Sequence, residues 1–379
     1  MKHFKNIKII VGLIVVMCGC TEIYIPNVNP DSSMLIVEGL ITNGAGPFTI
    51  KLSQSVPFDL DSTSVYKPVS GAQVKIIAGK NISYQLTSAG NGIYNVPPVF
   101  KGTVGETYKL HIETADGNIY ESNSQTLLAP QKFDTIQGYY TSQNYMDVNK
   151  NYNTVDGADI RVDLFNHVST AVTPPLCRFR TDITVQYTYE EPVTDATIWH
   201  WFYFGWNSFN LNGNENITDE RSLSPQGAIK NHSLGFVPFG IKSYGYSMPP
   251  STQIRFYYLR CKQYTINADT YNFYKAANNQ LVATGKIFDP VTSQLYGNIK
   301  CINDPTKVVL GLFEVSSVTQ SAFLIFSSES TKKILLTKSN YIDIPPAGNK
   351  QYKILDKDPS TVTVDSTFTP IPFPSWWDH

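Results

Sequence analysis

The sequence predicts a mainly β protein in two parts: a β-sandwich over residues 33–128, then a larger β-rich domain over 129–379 with one substantial helix. Three observations predict it. Apolar and polar residues alternate at a period of two in run after run, which puts one set in a core and the other in water. Turn signals separate the runs; Asp116-Gly117 is a tight hairpin pair. Helical spacing with a cap occurs in a single stretch, residues 268–283. Composition agrees: 42% of the 379 residues are hydrophobic and only 16% charged. An average soluble domain has about 25% charged residues, and disordered or coiled-coil chains have more. Thirty basic against 31 acidic residues leave no excess charge to attract nucleic acid.

At the N-terminus, Lys2, Lys5 and Lys8 accompany a nine-residue apolar stretch, Ile9 to Met17. A membrane span needs about 20 residues, so this stretch has the size of a signal-peptide core. Met17-Cys18-Gly19-Cys20 closes it in the manner of a lipobox, and Cys20 is the better acceptor because small Gly19 precedes it. Residues 1–19 are therefore expected to be removed as a signal peptide, with diacylglycerol joined to the Cys20 thiol. Two or three acyl chains anchor a protein stably to a membrane, where one chain is marginal. Losing three lysines takes the net charge from −1 to −4. Thr21 rather than Asp follows the anchor, which favours the outer membrane over inner-membrane retention; cell surface and periplasmic face both stay open. Residues 20–32, with Pro26 and Pro30, form a polar tether.

In the first domain, Phe48, Ile50 and Leu52 alternate with Thr49, Lys51 and Ser53. Ala72, Val74 and Ile76 do the same, as do Tyr108, Leu110 and Ile112, and Ile119 to Glu121 follows the Asp116-Gly117 turn. Short strands at this spacing suit a sandwich of immunoglobulin size. Residues 129–136 mark the crossing into the second domain. Its strands read at Ile160 to Leu164, Ile183 to Tyr187, Ile254 to Tyr258, Val308 to Phe313 and Phe323 to Phe326. The helix has Asn267 as N-cap, Asp269 in its first turn, tyrosines 271 and 274 on one face and Gly285 to close it. The tail from Pro345 is rich in Pro, Ser and Thr and ends in Trp376-Trp377.

Cys177, Cys261 and Cys301 remain in an oxidising compartment, where disulfides persist. Three cannot all pair internally. One disulfide with one buried free thiol is the leading expectation, and three buried free thiols the alternative.

The order of motifs resembles a known family. After the lipobox come Leu35-Ile36-Val37-Glu38-Gly39-Leu40-Ile41-Thr42-Asn43, then Pro47-Phe48-Thr49-Ile50-Lys51-Leu52-Ser53 and Val69-Ser70-Gly71-Ala72-Gln73-Val74. Phe100-Lys101-Gly102 and Gly105-Glu106-Thr107-Tyr108 follow. Later stand Lys262-Gln263-Tyr264, Tyr271/Phe273/Tyr274, Ile287-Phe288-Asp289-Pro290, Gly297-Asn298-Ile299-Lys300-Cys301 and Leu310 to Val318. This set is similar to the Bacteroidetes outer-membrane lipoproteins catalogued as a domain of unknown function, from the lipobox to about residue 326. The resemblance implies an N-terminal immunoglobulin-like or carboxypeptidase-regulatory-like region. It also implies an accessory role beside TonB-dependent outer-membrane receptors of the SusC type, and it brings no known catalytic residues to carry over. Such relatives often have a Cys-Trp pair where this chain has Trp199 to Trp206, and they have tail cysteines that it lacks. Cys261 is then the candidate partner of Cys301.

Catalytic motifs are absent. The histidines of the mature chain, His111, His167, His200, His232 and His379, form no His-Glu-x-x-His, and no Gly-x-Ser-x-Gly elbow or phosphate loop occurs. Ser330-Thr331-Lys332-Lys333 matches Ser-x-x-Lys without its companion motifs. Asp147 to Asn153 has calcium-loop oxygens, but Tyr152 stands where the turn needs Gly. No metal and no cofactor is expected. His111 falls on the polar face of a strand and is expected to be solvated. Trp199, Trp201, Tyr203 and Trp206 are the candidate ligand or interface aromatics, since such rings stack on sugars and anchor interfaces; a strand covered on both faces is the competing explanation. The expected function is a non-enzymatic, lipid-anchored helper of a TonB-dependent transporter, with surface glycan binding or adhesion as the alternative.

Overall fold

The structure, a computed structural model, describes residues 33–56, 66–80, 82–146, 152–166, 174–190, 199–211, 216–218, 223, 227–239, 253–282, 295–328, 331–339, 348–355 and 358–364. The signal peptide, Cys20, the tether, residues 147–151, Gly285, Ser330 and Trp376-Trp377 lie outside the described residues. So do the side chains of Trp199, Trp201, Tyr203 and Trp206, whose backbone is described.

The first part of the chain supplies β1 (Leu35–Ile41), β2 (Thr49–Ser55), β3 (Tyr66–Pro68), β4 (Gln73–Ala78), β5 (Ile82–Gln85), β6 (Thr87–Gly90), β7 (Ile93–Asn95), β8 (Thr107–Glu113), β9 (Ile119–Ser122) and β10 (Gln125–Thr126). There follow β11 (Thr135–Met146), β12 (Tyr152–Leu164), β13 (Cys177–Glu190), β14 (Trp199–Asn210), β15 (Asn216–Ile217), β16 (Ile229–Pro238) and β17 (Gln253–Thr265). Helix α1 (Ala268–Val282) precedes β18 (Ile299–Cys301), β19 (Val309–Val315), β20 (Ser317–Ser328), β21 (Lys333–Ser339), β22 (Gly348–Leu355) and β23 (Asp358–Val364). The fold is mainly β, with several sheets and one helix among the described residues. None of the described helical residues forms a helix long and apolar enough to cross a membrane.

The period-two pattern decides what is buried. Ile50 and Leu52 of β2, Val74 and Ile76 of β4, and Leu110 and Ile112 of β8 are all fully enclosed. Gly117 takes φ +81° in the turn between β8 and β9, a conformation that glycine adopts without a Cβ penalty. These strands build two facing sheets. One runs β19-β1-β2-β7-β6 with β3 beside β2, the other β18-β9-β8-β4-β5 with β10 beside β8.

Residues 299–315 belong to this first sandwich, although the sequence reading groups them with the second domain. β19 pairs in parallel with β1 from Leu35↔Val309 to Ile41↔Val315, and β18 pairs with β9. Ile299, Cys301, Val309, Phe313 and Val315 fill the same core as Val37 and Leu110. A parallel partner requires a long crossover. Here that crossover is the rest of the first sandwich and most of the second, so no local pattern announces it.

The second sandwich packs the sheet β11-β12-β16 on the sheet β21-β20-β17-β13-β14-β22-β23, with β15 beside β13. Ile160, Val162, Phe179, Ile183, Leu234 and Leu259 form its core. Ser316 alone separates β19 from β20, so one chain path leaves the first sandwich and enters the second. Helix α1 lies at this junction. Its predicted cap is present: Asn267 Oδ1 accepts from the Thr270 amide at 2.9 Å, which satisfies one of the donors left free at a helix start. Tyr271 packs with Tyr264 and Ile266, against Leu40 and Val318 from either side of the junction.

Candidate functional site

The junction holds a buried ion pair. Arg178 of β13 stands opposite Tyr264 of β17 on the face turned toward the first sandwich. Its Nη2 donates to both carboxylate oxygens of Glu314 on β19, each at 3.1 Å. The two side chains are 9% and 2% exposed. Ser316 Oγ donates to Glu314 Oε1 at 2.6 Å, and the Tyr274 hydroxyl of α1 donates to Oε2 at 2.5 Å. A buried charge is tolerated when paired and hydrogen-bonded, and Glu314 has both. The Arg178 guanidinium lies over the Tyr264 ring at 4.2 Å and the Tyr274 ring at 5.1 Å. Burial pushes the Tyr264 phenol up, while Arg178 pulls it down less strongly. β13, α1 and β19 thus meet on one carboxylate.

Beside this ion pair, α1 and the outward face of the first sheet enclose a groove of about 460 Å³. Phe273 and Tyr274 form one wall, their rings edge-on at 5.6 Å. Thr49, Lys51 and Glu38 line the other, above Leu40 and Leu312. Lys51 Nζ donates to Glu38 Oε1 at 3.0 Å, a bond that holds its ammonium above the ordinary lysine value. Two glycines permit the close packing here. A Cβ on Gly311, at φ +89°, would collide with the Val37 carbonyl, and one on Gly297 would collide with the Gly311 carbonyl. Asn298 then seals the approach. Its side chain donates to the Phe313 carbonyl at 2.8 Å and accepts from the Phe313 amide at 3.0 Å.

A larger pocket, about 760 Å³, opens at the other end of the first sandwich, between Ser33, Tyr120, Asp116, Asp304 and Lys307. The Thr114 hydroxyl holds Asp116 below the usual carboxylate range, and the Thr306 hydroxyl does the same for Asp304. Burial pushes the Tyr120 phenol up to about 12. No group of three or more His, Cys, Asp or Glu side chains suited to a metal ion occurs among the described residues.

The sequence-predicted site residues are scattered. Trp199, Trp201, Tyr203 and Trp206 sit in β14, an interior strand paired to β13 on one side and β22 on the other. Trp206 stands opposite Gln186 and Gly348, and Tyr203 opposite Tyr189 and Gln351. That end of β14 points away from the junction, which lies at the Cys177 end of β13. The expected disulfide is corrected: Cys177, Cys261 and Cys301 are all free and buried. Cys261 lies in the second core and Cys301 in the first, because β18 crosses to the first sandwich while β17 stays in the second. Burial pushes the Cys261 thiol up to about 12 and the Cys177 thiol higher still, so both are poor nucleophiles. His111 is also corrected. It is not simply solvated but 12% exposed, with Nδ1 at 2.9 Å from Glu121 and Nε2 at 2.8 Å from Glu113. His232 is enclosed, its Nε2 at 2.6 Å from Asn216 Oδ1. The sequence reading missed Arg178 and Glu314. Their signal was a charge in each of two strands otherwise reading as core, Cys-Arg-Phe and Leu-Phe-Glu-Val.

A family model described as "Domain of unknown function (DUF4249)" matches residues 21–322. No curated protein and no solved structure matches the chain.

Proposed function

This chain belongs to the DUF4249 family, and from that premise we propose that it is an outer-membrane lipoprotein of the Bacteroidetes type, tied to the bilayer through Cys20. It serves a TonB-dependent nutrient-uptake receptor as a non-enzymatic accessory, docking beside the barrel and helping to capture substrate. The first sandwich is its immunoglobulin-like or carboxypeptidase-regulatory-like module. The lipobox Met17-Cys18-Gly19-Cys20 carries the reading, because a thiol at that position after a short apolar stretch is the acceptor that lipidation requires. The fold supports it in one respect. β1 runs from Leu35 toward the junction at Ile41, so the chain enters from the tether at the end of the first sandwich remote from the second. An anchor at one extremity leaves the second sandwich clear of the bilayer.

Two measurements test this. Cys20→Ala is expected to abolish palmitate labelling and release the protein from the membrane fraction. Wild-type protein drawn from mildly solubilised outer membrane is expected to bring a TonB-dependent receptor with it. Labelling that survives the substitution, or recovery of the lipoprotein without any receptor, overturns the proposal.

A further inference from the structure

The junction groove has an aromatic wall, a polar wall and no net charge. Its four charged lining groups are Glu38, Lys51, Arg178 and Glu314, and each cation is already bonded to an anion of the same lining. A charged ligand would have to compete with one of these pairs, at a desolvation cost when the pair is Arg178–Glu314. A neutral ligand need not. The Phe273 and Tyr274 rings offer apolar faces and edges, while the Thr49 hydroxyl, the Glu38 carboxylate and the Lys51 ammonium offer acceptors and donors at the mouth. Glu38 and Lys51 remain 59% and 40% exposed, within reach of a solvent-borne ligand. The volume, about 460 Å³, falls inside the range of roughly 300–1,000 Å³ typical of small-molecule sites. All the lining segments, from β1 to β19, lie within the stretch that the family model matches.

From these features we infer that the junction groove binds a neutral saccharide, with a sugar ring against Phe273 and Tyr274 and its hydroxyls on Thr49, Glu38 and Lys51. A pyranose is the chemistry that matches both walls: one face of C–H groups, a rim of hydroxyls and no charge. The inference stands apart from the accessory reading, since a groove that takes sugar can serve uptake or adhesion alike.

The test uses full-length lipoprotein in detergent on an array of immobilised neutral and charged oligosaccharides, beside Lys51→Met, Phe273→Ala and Trp201→Ala. Wild type is expected to hold neutral oligosaccharides, and Lys51→Met and Phe273→Ala to weaken that binding at least tenfold. Lys51 is surface-exposed, so Lys51→Met keeps its melting temperature and separates lost binding from lost folding. Trp201→Ala is expected to bind as wild type does. No retained neutral oligosaccharide, a preference for charged ones, undiminished binding by Lys51→Met, or loss confined to Trp201→Ala each overturns the groove assignment. Receptor recovery by Lys51→Met reports on the accessory role separately, and is expected to persist.

Discussion

Glu314 is an acid placed in a strand that otherwise reads Val-Leu-Gly-Leu-Phe-Val, and its burial is tolerable only because Arg178, Tyr274 and Ser316 converge on it. Removing one member of a buried pair leaves an uncompensated charge, which typically costs about 3–5 kcal/mol. Arg178→Met is therefore expected to lower unfolding free energy by about that much in urea titrations. Adding Glu314→Leu to it is expected to recover a large part, because two apolar groups replace two desolvated charges. A second residue-scale effect concerns acid. Hydrogen bonding from His111 holds the Glu113 carboxyl below its ordinary value. Burial pushes Glu121 up, but bonds from Lys109 and His111 outweigh it and leave that carboxyl low as well. A carboxylate depressed in the folded state contributes stability above its unfolded value, about 4.5, and loses it as pH falls through the folded value. Melting temperatures are expected to fall below about pH 4.5, with a shallower fall for Glu121→Gln.

At the scale of elements, α1 shows how a local signal and a distant contact divide the work. Asn267 stands two residues past the end of β17 and caps the helix, so Asn267→Ala is expected to cost about 1 kcal/mol in denaturant unfolding. The helix stays in place through Tyr271 and Tyr274, whose hydroxyls reach the Thr218 carbonyl and Glu314. The strands carry the cysteines inward at β13, β17 and β18, in cores that exclude water. Under native conditions the three thiols are expected to resist a thiol reagent such as dithionitrobenzoate, and all three to react without reductant once the protein is unfolded. Fewer than three reactive groups would mean that a disulfide forms.

For the whole molecule, the central fact is that β18 and β19 finish a sandwich begun more than 150 residues earlier. Without them β1 would present an open edge and the core would lose Phe313, Val309 and Ile299. A fragment of residues 33–128 is therefore expected to give a poorly dispersed amide spectrum, and extending it with residues 295–316 to restore dispersion. The path from Val309 through Ser316 to Ser328 spans about 20 residues, roughly 65 Å of strand at about 3.3 Å each. It runs through both sandwiches, so unfolding of one is expected to pull on the other and give a single melting transition.

The sequence by itself determined the local features. Alternation at Ile50 and Leu52, at Val74 and Ile76 and at Leu110 and Ile112 gives strands with one buried face, because a period of two is built into the extended backbone. Asn267 and the tyrosine spacing likewise located the helix, whose capping bond spans three residues. Which strands meet was decided by tertiary structure alone. The pairing of Leu35 with Val309, the separation of Cys261 from Cys301 into different cores, and the meeting of Arg178 with Glu314 join residues far apart in the chain. Periodicity says which side of a strand is apolar but not what will cover it. The groove followed from that pairing, because its two walls come from strands of the first sandwich and a helix reached only after most of the second.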